Sequence, residues 1–178
     1  MQARRTPSYQ ARQFATGFTA IELMVVVSIV AILAALAAPS FSPLIENWRV
    51  RESAEQLQST LYYARSEAIK RGGQVLIQKI PNNTNGCTTA TGTRAWDCGW
   101  TAGHAPQRVE SSAKVHVNRT SGGATIQLNR WGLVDGTWLG FNLVPLDKTV
   151  SHVAARGVCT SSGGRVRIIP QEAIPCTA

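Results

Sequence analysis

Residues 18–38 read FTAIELMVVVSIVAILAALAA, running from Phe18 to Ala38 with only Thr19, Glu22 and Ser28 as polar interruptions. As a helix rising ~1.5 Å per residue, this run spans ~30 Å, the hydrocarbon thickness of a bilayer. A secretory signal peptide has a shorter apolar core, about 7–15 residues, followed by a small-x-small cleavage site. Here the run ends in Pro39-Ser40-Phe41-Ser42-Pro43, a poor match to such a site. The segment before it holds Arg4, Arg5 and Arg12 and no acid. Positive charge stays on the cytoplasmic side, so the run reads as a single-pass membrane helix with everything after Ala38 outside. Glu22 does not suit a plain anchor. A carboxylate one turn inside lipid costs a few kcal/mol unless it is paired or protonated. Its natural partner is a positive charge at the same depth, such as an α-amino group freed by cutting just before Phe18.

The chain of 178 residues carries 18 Lys and Arg against 10 Asp and Glu, a formal net charge of +8. With 44% apolar and only 16% charged residues, intrinsic disorder is excluded, and 15 Gly with 8 Pro exclude low complexity. Beyond residue 38 there are 15 basic and 9 acidic residues, a margin of +6. That margin suggests a polyanionic partner without establishing one.

Pro39 and Pro43 end or kink the apolar helix, since each removes an N–H and clashes with the preceding turn. The pattern then turns amphipathic. Ala54, Leu57, Leu61, Ala64 and Ala68 recur at spacings of three and four, one stripe of a helix that Gly72-Gly73 stops. Glu67 and Arg71 form an i,i+4 pair on its solvated side. Short β-branched or aromatic runs follow at Val75–Ile80, Lys114–Arg119, Ala124–Asn129, Trp138–Val144, His152–Cys159 and Arg165–Ile169, separated by Asn, Ser, Asp and Gly turns. Pro81–Arg108 reads as a long loop. The fold class is therefore α+β: a long N-terminal helix packed on antiparallel sheet. The expected segments are 1–17, 18–38, 39–73 (the amphipathic continuation) and a β-rich region, 74–178.

Four cysteines in a segment placed outside the cytoplasm predict disulfides, with three pairings open. Cys87–Cys98 and Cys159–Cys176 are favoured because each closes a modest loop. Metal binding is not expected: no CxxC occurs, and His104, His116 and His152 are scattered. No GxSxG, HExxH or Walker sequence is present, so no enzyme and no cofactor are expected. The cluster Trp96-Asp97-Cys98-Gly99-Trp100 reads as core packing beside a disulfide, with base stacking as the weaker reading. Near the end, Gly163-Gly164-Arg165-Val166-Arg167 puts a glycine turn before a strand. Residues two apart in a strand share a face at ~6.5–7 Å, so Arg165 and Arg167 would reach neighbouring phosphates of one DNA strand. The glycines, Gly164 among them, would allow close backbone approach and supply free N–H donors. Arg94, Arg108, Lys114 and Arg119 are further basic candidates that no motif selects.

Gly17-Phe18-Thr19-Ala20-Ile21-Glu22-Leu23-Met24 resembles the processing site of type IV pilins and type II secretion pseudopilins. The resemblance implies that a prepilin peptidase cuts between Gly17 and Phe18 and methylates Phe18, and that Glu22 sets registry with neighbouring subunits. Ala20 departs from the larger aliphatic residue usual there. The wider layout, with Tyr62-Tyr63-Ala64-Arg65-Ser66-Glu67-Ala68-Ile69 on the helix, the W-x-x-G-W spacing and a late Cys, is similar to the GspH/FimT family. Within it, Gly164-Arg165-Val166-Arg167 matches the GRxR motif of FimT-like minor pilins, which bind DNA for natural transformation. The resemblance thus implies a minor pilin of a type IV pilus with three kinds of partner besides prepilin peptidase: double-stranded DNA, other major and minor pilins, and inner-membrane lipid before assembly. It also implies a cytoplasmic N-terminus, a periplasmic globular domain and a final place in a cell-surface pilus. A structural minor pseudopilin of type II secretion is the rival, and an assembly-priming minor pilin without a DNA role is a third reading.

Intact mass of the membrane-extracted protein is expected to lack residues 1–17 and to carry one added methyl group. A mature chain beginning anywhere other than Phe18 would contradict the processing site.

Overall fold

A computed structural model describes residues 17–37, 41–103, 107–135, 139–161 and 163–176. The expected leader up to residue 16, the end of the apolar run at Ala38, and His104 and Trp138 lie outside the described residues. The chain divides into two compact units, Met1–Ser40 and Phe41–Ala178.

In the first unit, helix α1 (Ala20–Ala37) is 18 residues long. Thr19 starts it: its hydroxyl accepts the Glu22 N–H at 3.2 Å and its carbonyl accepts the Leu23 N–H at 3.1 Å. The hydroxyl contact satisfies an amide that no earlier turn can reach, and the carbonyl contact is the first bond of the helix. Glu22 therefore sits in the first turn, where a carboxylate faces the positive end of the helix dipole. The apolar side chains from Ile21 to Leu36 are exposed. Among the described residues, no helix is long and apolar enough to cross a membrane.

In the second unit, helix α2 (Ser42–Arg71) begins with a proline in its first turn and ends at Gly72, whose φ of +61° is the left-handed cap that glycine adopts freely. The expected stripe is buried throughout, from Ala54 to Ala68, and Val50 extends it by one turn. Eight strands follow: β1 (Val75–Lys79), β2 (Trp100–Ala102), β3 (Gln107–Val109), β4 (Val115–Arg119), β5 (Thr125–Leu128), β6 (Leu139–Pro145), β7 (Arg156–Thr160) and β8 (Val166–Pro170). They form two antiparallel four-stranded sheets, ordered β3-β2-β1-β5 and β4-β6-β7-β8. The stripe of α2 packs with Val75 and Ile77 of the first sheet and Val117, Phe141, Leu143 and Val158 of the second in one core.

The expected strands are present with ends shifted by a few residues. The largest shift is at His152–Cys159: residues 152–155 form a turn, with the Ala155 N–H donating to the His152 carbonyl, and β7 starts at Arg156. The long loop expected over Pro81–Arg108 is corrected more substantially. It contains β2 and the start of β3, each only three residues long and too short to show a period of two.

The Trp96–Trp100 segment crosses between the sheets. The Trp96 N–H donates to the Val117 carbonyl of β4, and four residues on Trp100 pairs with Lys79 of β1. Both indoles are fully buried: Trp96 meets Phe141 edge-on at 5.3 Å, and the Trp100 Nε1–H donates to the Thr60 hydroxyl at 2.9 Å. Asp97, also buried, accepts the Val117 N–H at 2.7 Å and faces His116 Nδ1 at 2.8 Å. The Lys79 ammonium donates to the carbonyls of Ala90, Gly92 and Ala95, pinning the loop closed by the Cys87–Cys98 disulfide.

Gly99 makes the crossing possible. Its φ is +97°, and a Cβ there would stand 2.0 Å from the Val109 carbonyl oxygen. Gly92 has a φ of +83° but nothing within 4 Å of a Cβ. Gly92→Ala is expected to cost ~1–2 kcal/mol, the left-handed penalty alone. Gly99→Ala adds a backbone clash that must displace β3, so its loss should exceed that by several-fold. Chemical denaturation of the two variants checks this; equal losses would contradict it.

Candidate functional site

The candidate arginines sit where β7 turns into β8. The turn is tight: the Gly164 N–H donates to the Ser161 carbonyl at 2.8 Å, and the Ser161 N–H donates to the Arg165 carbonyl at 2.9 Å. Ser161 also accepts the Arg165 N–H on its hydroxyl at 3.2 Å. Gly164 takes the left-handed φ of +76° that this turn needs. The expectation of a free donor at Gly164 is thereby corrected. Its N–H closes the turn and its backbone is buried. Arg165, Val166 and Arg167 alternate exposed, buried, exposed, so the two guanidinium groups leave the sheet on its outer side while Val166 enters the core.

This orientation has a physical cause on α2. Strand β8 is a sheet edge, and the carbonyls on its open side have no neighbouring strand. Three side chains of α2 take that place. Arg65 Nη1 donates to the Gly164 carbonyl at 2.7 Å, while the Tyr62 hydroxyl at 3.0 Å and Gln58 Nε2 at 3.3 Å both donate to the Val166 carbonyl. Positions 58, 62 and 65 stand one helical turn apart, so they form a single row beside the apolar stripe. The Tyr62–Ile69 segment that carried a resemblance in the sequence thus has a direct task. Its tyrosine and arginine seal the open edge, and its alanines let the helix approach. A signal was available: residue 65 lies four after Leu61, at the margin of the stripe, where an arginine stem packs and its head reaches past the helix.

On the outer face of the second sheet, Cys159 pairs across the ladder with Arg167 and is bonded to Cys176. The C-terminal segment folds back over this face because two glycines leave room. A Cβ on Gly140 would lie 3.1 Å from the Cys176 sulfur, and one on Gly157 would lie 3.3 Å from Ile174 Cγ1. Both disulfides join the cysteines favoured from loop length.

The other basic candidates are distributed differently. Arg119 is only 5% exposed; its guanidinium donates to the carbonyls of Gly123 and Thr125, and burial pushes its pKa down. It is a strut inside the fold, which removes it from the candidate patch. Arg108 hydrogen-bonds Glu110 at 3.1 Å. Hydrogen bonds from Asn85 and then Arg108 hold the Glu110 carboxyl below the usual carboxylate range. Lys114 and Arg94 are exposed beside β4, the edge of the second sheet farthest from β8. Sheet order therefore separates these residues from Arg165 and Arg167. Among the described residues no cluster of His, Cys, Asp and Glu could hold a metal ion.

The family described as type II transport protein GspH matches residues 53–164, from α2 to the β7–β8 turn. The chain belongs to this family. Its members are pilin-like structural subunits, and the chain is accordingly of the minor-pilin or pseudopilin kind. It is also similar to two crystal structures of the type IV minor pilin FimU from Pseudomonas aeruginosa. One is 22% identical over 68% of this chain and 94% of that one, with a TM-score of 0.53; the other is 21% identical over 72% and 94%, with a TM-score of 0.56. At this identity the likeness concerns the fold, an N-terminal helix packed on antiparallel sheets. A fimbrial protein of Pseudomonas aeruginosa is 37% identical over 68 residues, 38% of this chain. The match spans 44% of that curated relative, less than half its length.

Arg65→Met keeps the packed stem and removes the donor, leaving the buried Gly164 carbonyl without its charged partner. Stability is expected to fall by ~1.5–3 kcal/mol, the worth of a hydrogen bond to a charged group. Amide exchange in the β7–β8 turn should accelerate more than in β1. Uniform acceleration across both sheets would contradict a local clamp.

Proposed function

We propose that this chain is a minor pilin of a type IV pilus that binds double-stranded DNA through its phosphates, without sequence preference, during DNA uptake. One observation carries the reading: Arg165 and Arg167 are both exposed on the outer side of one hairpin, and neither has an ion-pair partner among the described residues. At ~6.5–7 Å, two forks on one strand face match the repeat of phosphates along a DNA strand. The GRxR match at Gly164–Arg167 supports the same reading. The role of Gly164 in it is to hold the turn that presents the arginines.

The proposal extends to the rest of the chain. Residues 1–17 are a leader removed by prepilin peptidase between Gly17 and Phe18, and Phe18 is then methylated. Residues 18–38 hold the subunit in the inner membrane with its N-terminus cytoplasmic, while 39–73 and 74–178 lie in the periplasm until other major and minor pilins take the subunit into a surface fibre. Glu22 pairs with the N-terminus of a neighbouring subunit during that step. Support comes from α1, whose exposed apolar residues need lipid or other helices around them. A minor pseudopilin of type II secretion is the second reading, favoured by the description of the matching family. An assembly-priming minor pilin without a DNA role is the third reading.

Fluorescence anisotropy with the full chain in neutral detergent tests the DNA reading. Binding near the ~10⁻⁴–10⁻⁶ M of non-specific complexes is expected, falling steeply with salt and little affected by sequence. Arg165→Gln with Arg167→Gln should weaken every duplex alike and reduce the salt slope by ~1 per arginine. Arg→Lys should restore part, because the charge returns without the bidentate fork. Replacing exposed residues costs within about ±0.5 kcal/mol, so the fold should survive, with circular dichroism as the control. Unchanged affinity in a folded double variant would leave the structural pseudopilin reading.

A further inference from the structure

The sequence raises base stacking for Trp96 and Trp100, but both indoles are buried. Trp131 is different: it is 62% exposed, on a hairpin that meets the β7–β8 turn. It occupies the tip of a small hairpin where Leu128 pairs back with Val134. Asn129 shapes the tip, its side-chain oxygen accepting the N–H groups of Trp131 at 3.0 Å and Leu133 at 3.1 Å. The guanidinium of Arg130 lies over the indole, its Cζ 4.4 Å from the ring centroid.

This tip and the β7–β8 turn rest on the same support. A Cβ on Gly132 would come 2.5 Å from Arg65 Cγ, and a Cβ on Gly164 would come 2.8 Å from Arg65 Nη1. That same Cβ on Gly164 would lie 3.1 Å from Leu133 Cδ2. Residues 132 and 164 are therefore within the length of one arginine side chain. Trp131 directly precedes Gly132, and Arg165 directly follows Gly164. Strand order agrees, since β5, which leads into the tip, and β8 are edge strands flanking α2 at this point.

A single exposed apolar side chain is ordinary on a protein surface. An indole that carries its own guanidinium, on a hairpin that meets the turn leading into two further exposed arginines, has a more specific chemistry. The ring can stack on any base because every base has a π-face, and the neighbouring cations draw in the phosphates on either side. A duplex keeps its base faces covered except at ends and unpaired stretches. We infer that Trp131 and Arg130 form a stacking site for an unpaired DNA base, adjoining the phosphate contacts of Arg165 and Arg167. The inference rests on the DNA reading of those two arginines. It adds that the protein prefers DNA with a single-stranded end.

Anisotropy of the full chain in neutral detergent with three labelled DNAs of one sequence tests it: a blunt duplex, the same duplex with a short overhang, and the single strand. Wild type should bind the overhang duplex and the single strand about tenfold more tightly than the blunt duplex, the scale of one stacked base. Trp131→Ala should abolish that preference and leave blunt-duplex affinity nearly unchanged, while Trp131→Phe should retain most of it. Equal affinity for blunt and overhang duplexes, or a preference that persists in Trp131→Ala, would overturn the stacking site. The arginine reading fails separately, if Arg165→Gln with Arg167→Gln leaves blunt-duplex affinity unchanged while the overhang preference still depends on Trp131. Absence of binding to all three DNAs overturns both.

Discussion

Burial of one stripe of α2 organises everything beyond residue 41. Val50, Ala54, Leu57, Leu61, Ala64 and Ala68 all lie inside, and the strands they touch belong to both sheets. Neither sheet could close a core alone: each has four short strands and would leave an apolar face in water. Three of the six stripe residues are alanine, which bring the helix axis close to the strands without losing rotamer entropy. Close approach is what allows the polar row beside the stripe to reach backbone carbonyls on β8.

That reach determines which way the candidate site faces. An open sheet edge presents unpaired carbonyls, and proteins cover such edges to avoid unwanted pairing. Here Gln58, Tyr62 and Arg65 cover the edge from within the molecule. Because the inner side of β8 is taken by α2 and the core, the alternation of the strand sends Arg165 and Arg167 outward. The same Arg65 stem supports the Trp131 hairpin, so one half-buried arginine coordinates two surface elements separated by more than thirty residues of sequence. A pilin-like fold built this way keeps the core packing on one side of β8 and leaves Arg165 and Arg167 exposed on the other.

The crossing at Trp96–Trp100 shows a comparable division of labour. Tryptophans anchor one end in each sheet, the Cys87–Cys98 disulfide and the Lys79 ammonium restrain the loop before it, and Gly99 passes against the Val109 carbonyl where no side chain fits. Disulfide closure of a loop this size is worth ~2–4 kcal/mol, chiefly by restricting the unfolded chain. A small domain whose sheets are joined by irregular backbone has use for that restraint.

The sequence by itself determined the periodic features. A 3.6-residue period needs no tertiary information, so the apolar run, the stripe of α2 and its stop at Gly72-Gly73 were legible, as were most strands and the exposure of Arg165 and Arg167 on either side of Val166. The α+β class followed from these. Features set by contacts between distant residues were not legible. β2 and β3 are too short to show alternation and exist because β1 offers an edge to pair with. Arg119 reads as one more surface charge, and only the folded turn around Gly123 and Thr125 turns it into a buried strut. Gly164 reads as a free backbone donor, yet its N–H is committed to Ser161 and its carbonyl to Arg65. Trp131 carries no periodic signal at all. The approach of its hairpin to the β7–β8 turn comes from two hairpins meeting over one helix side chain, a relation that spacing along a chain does not encode.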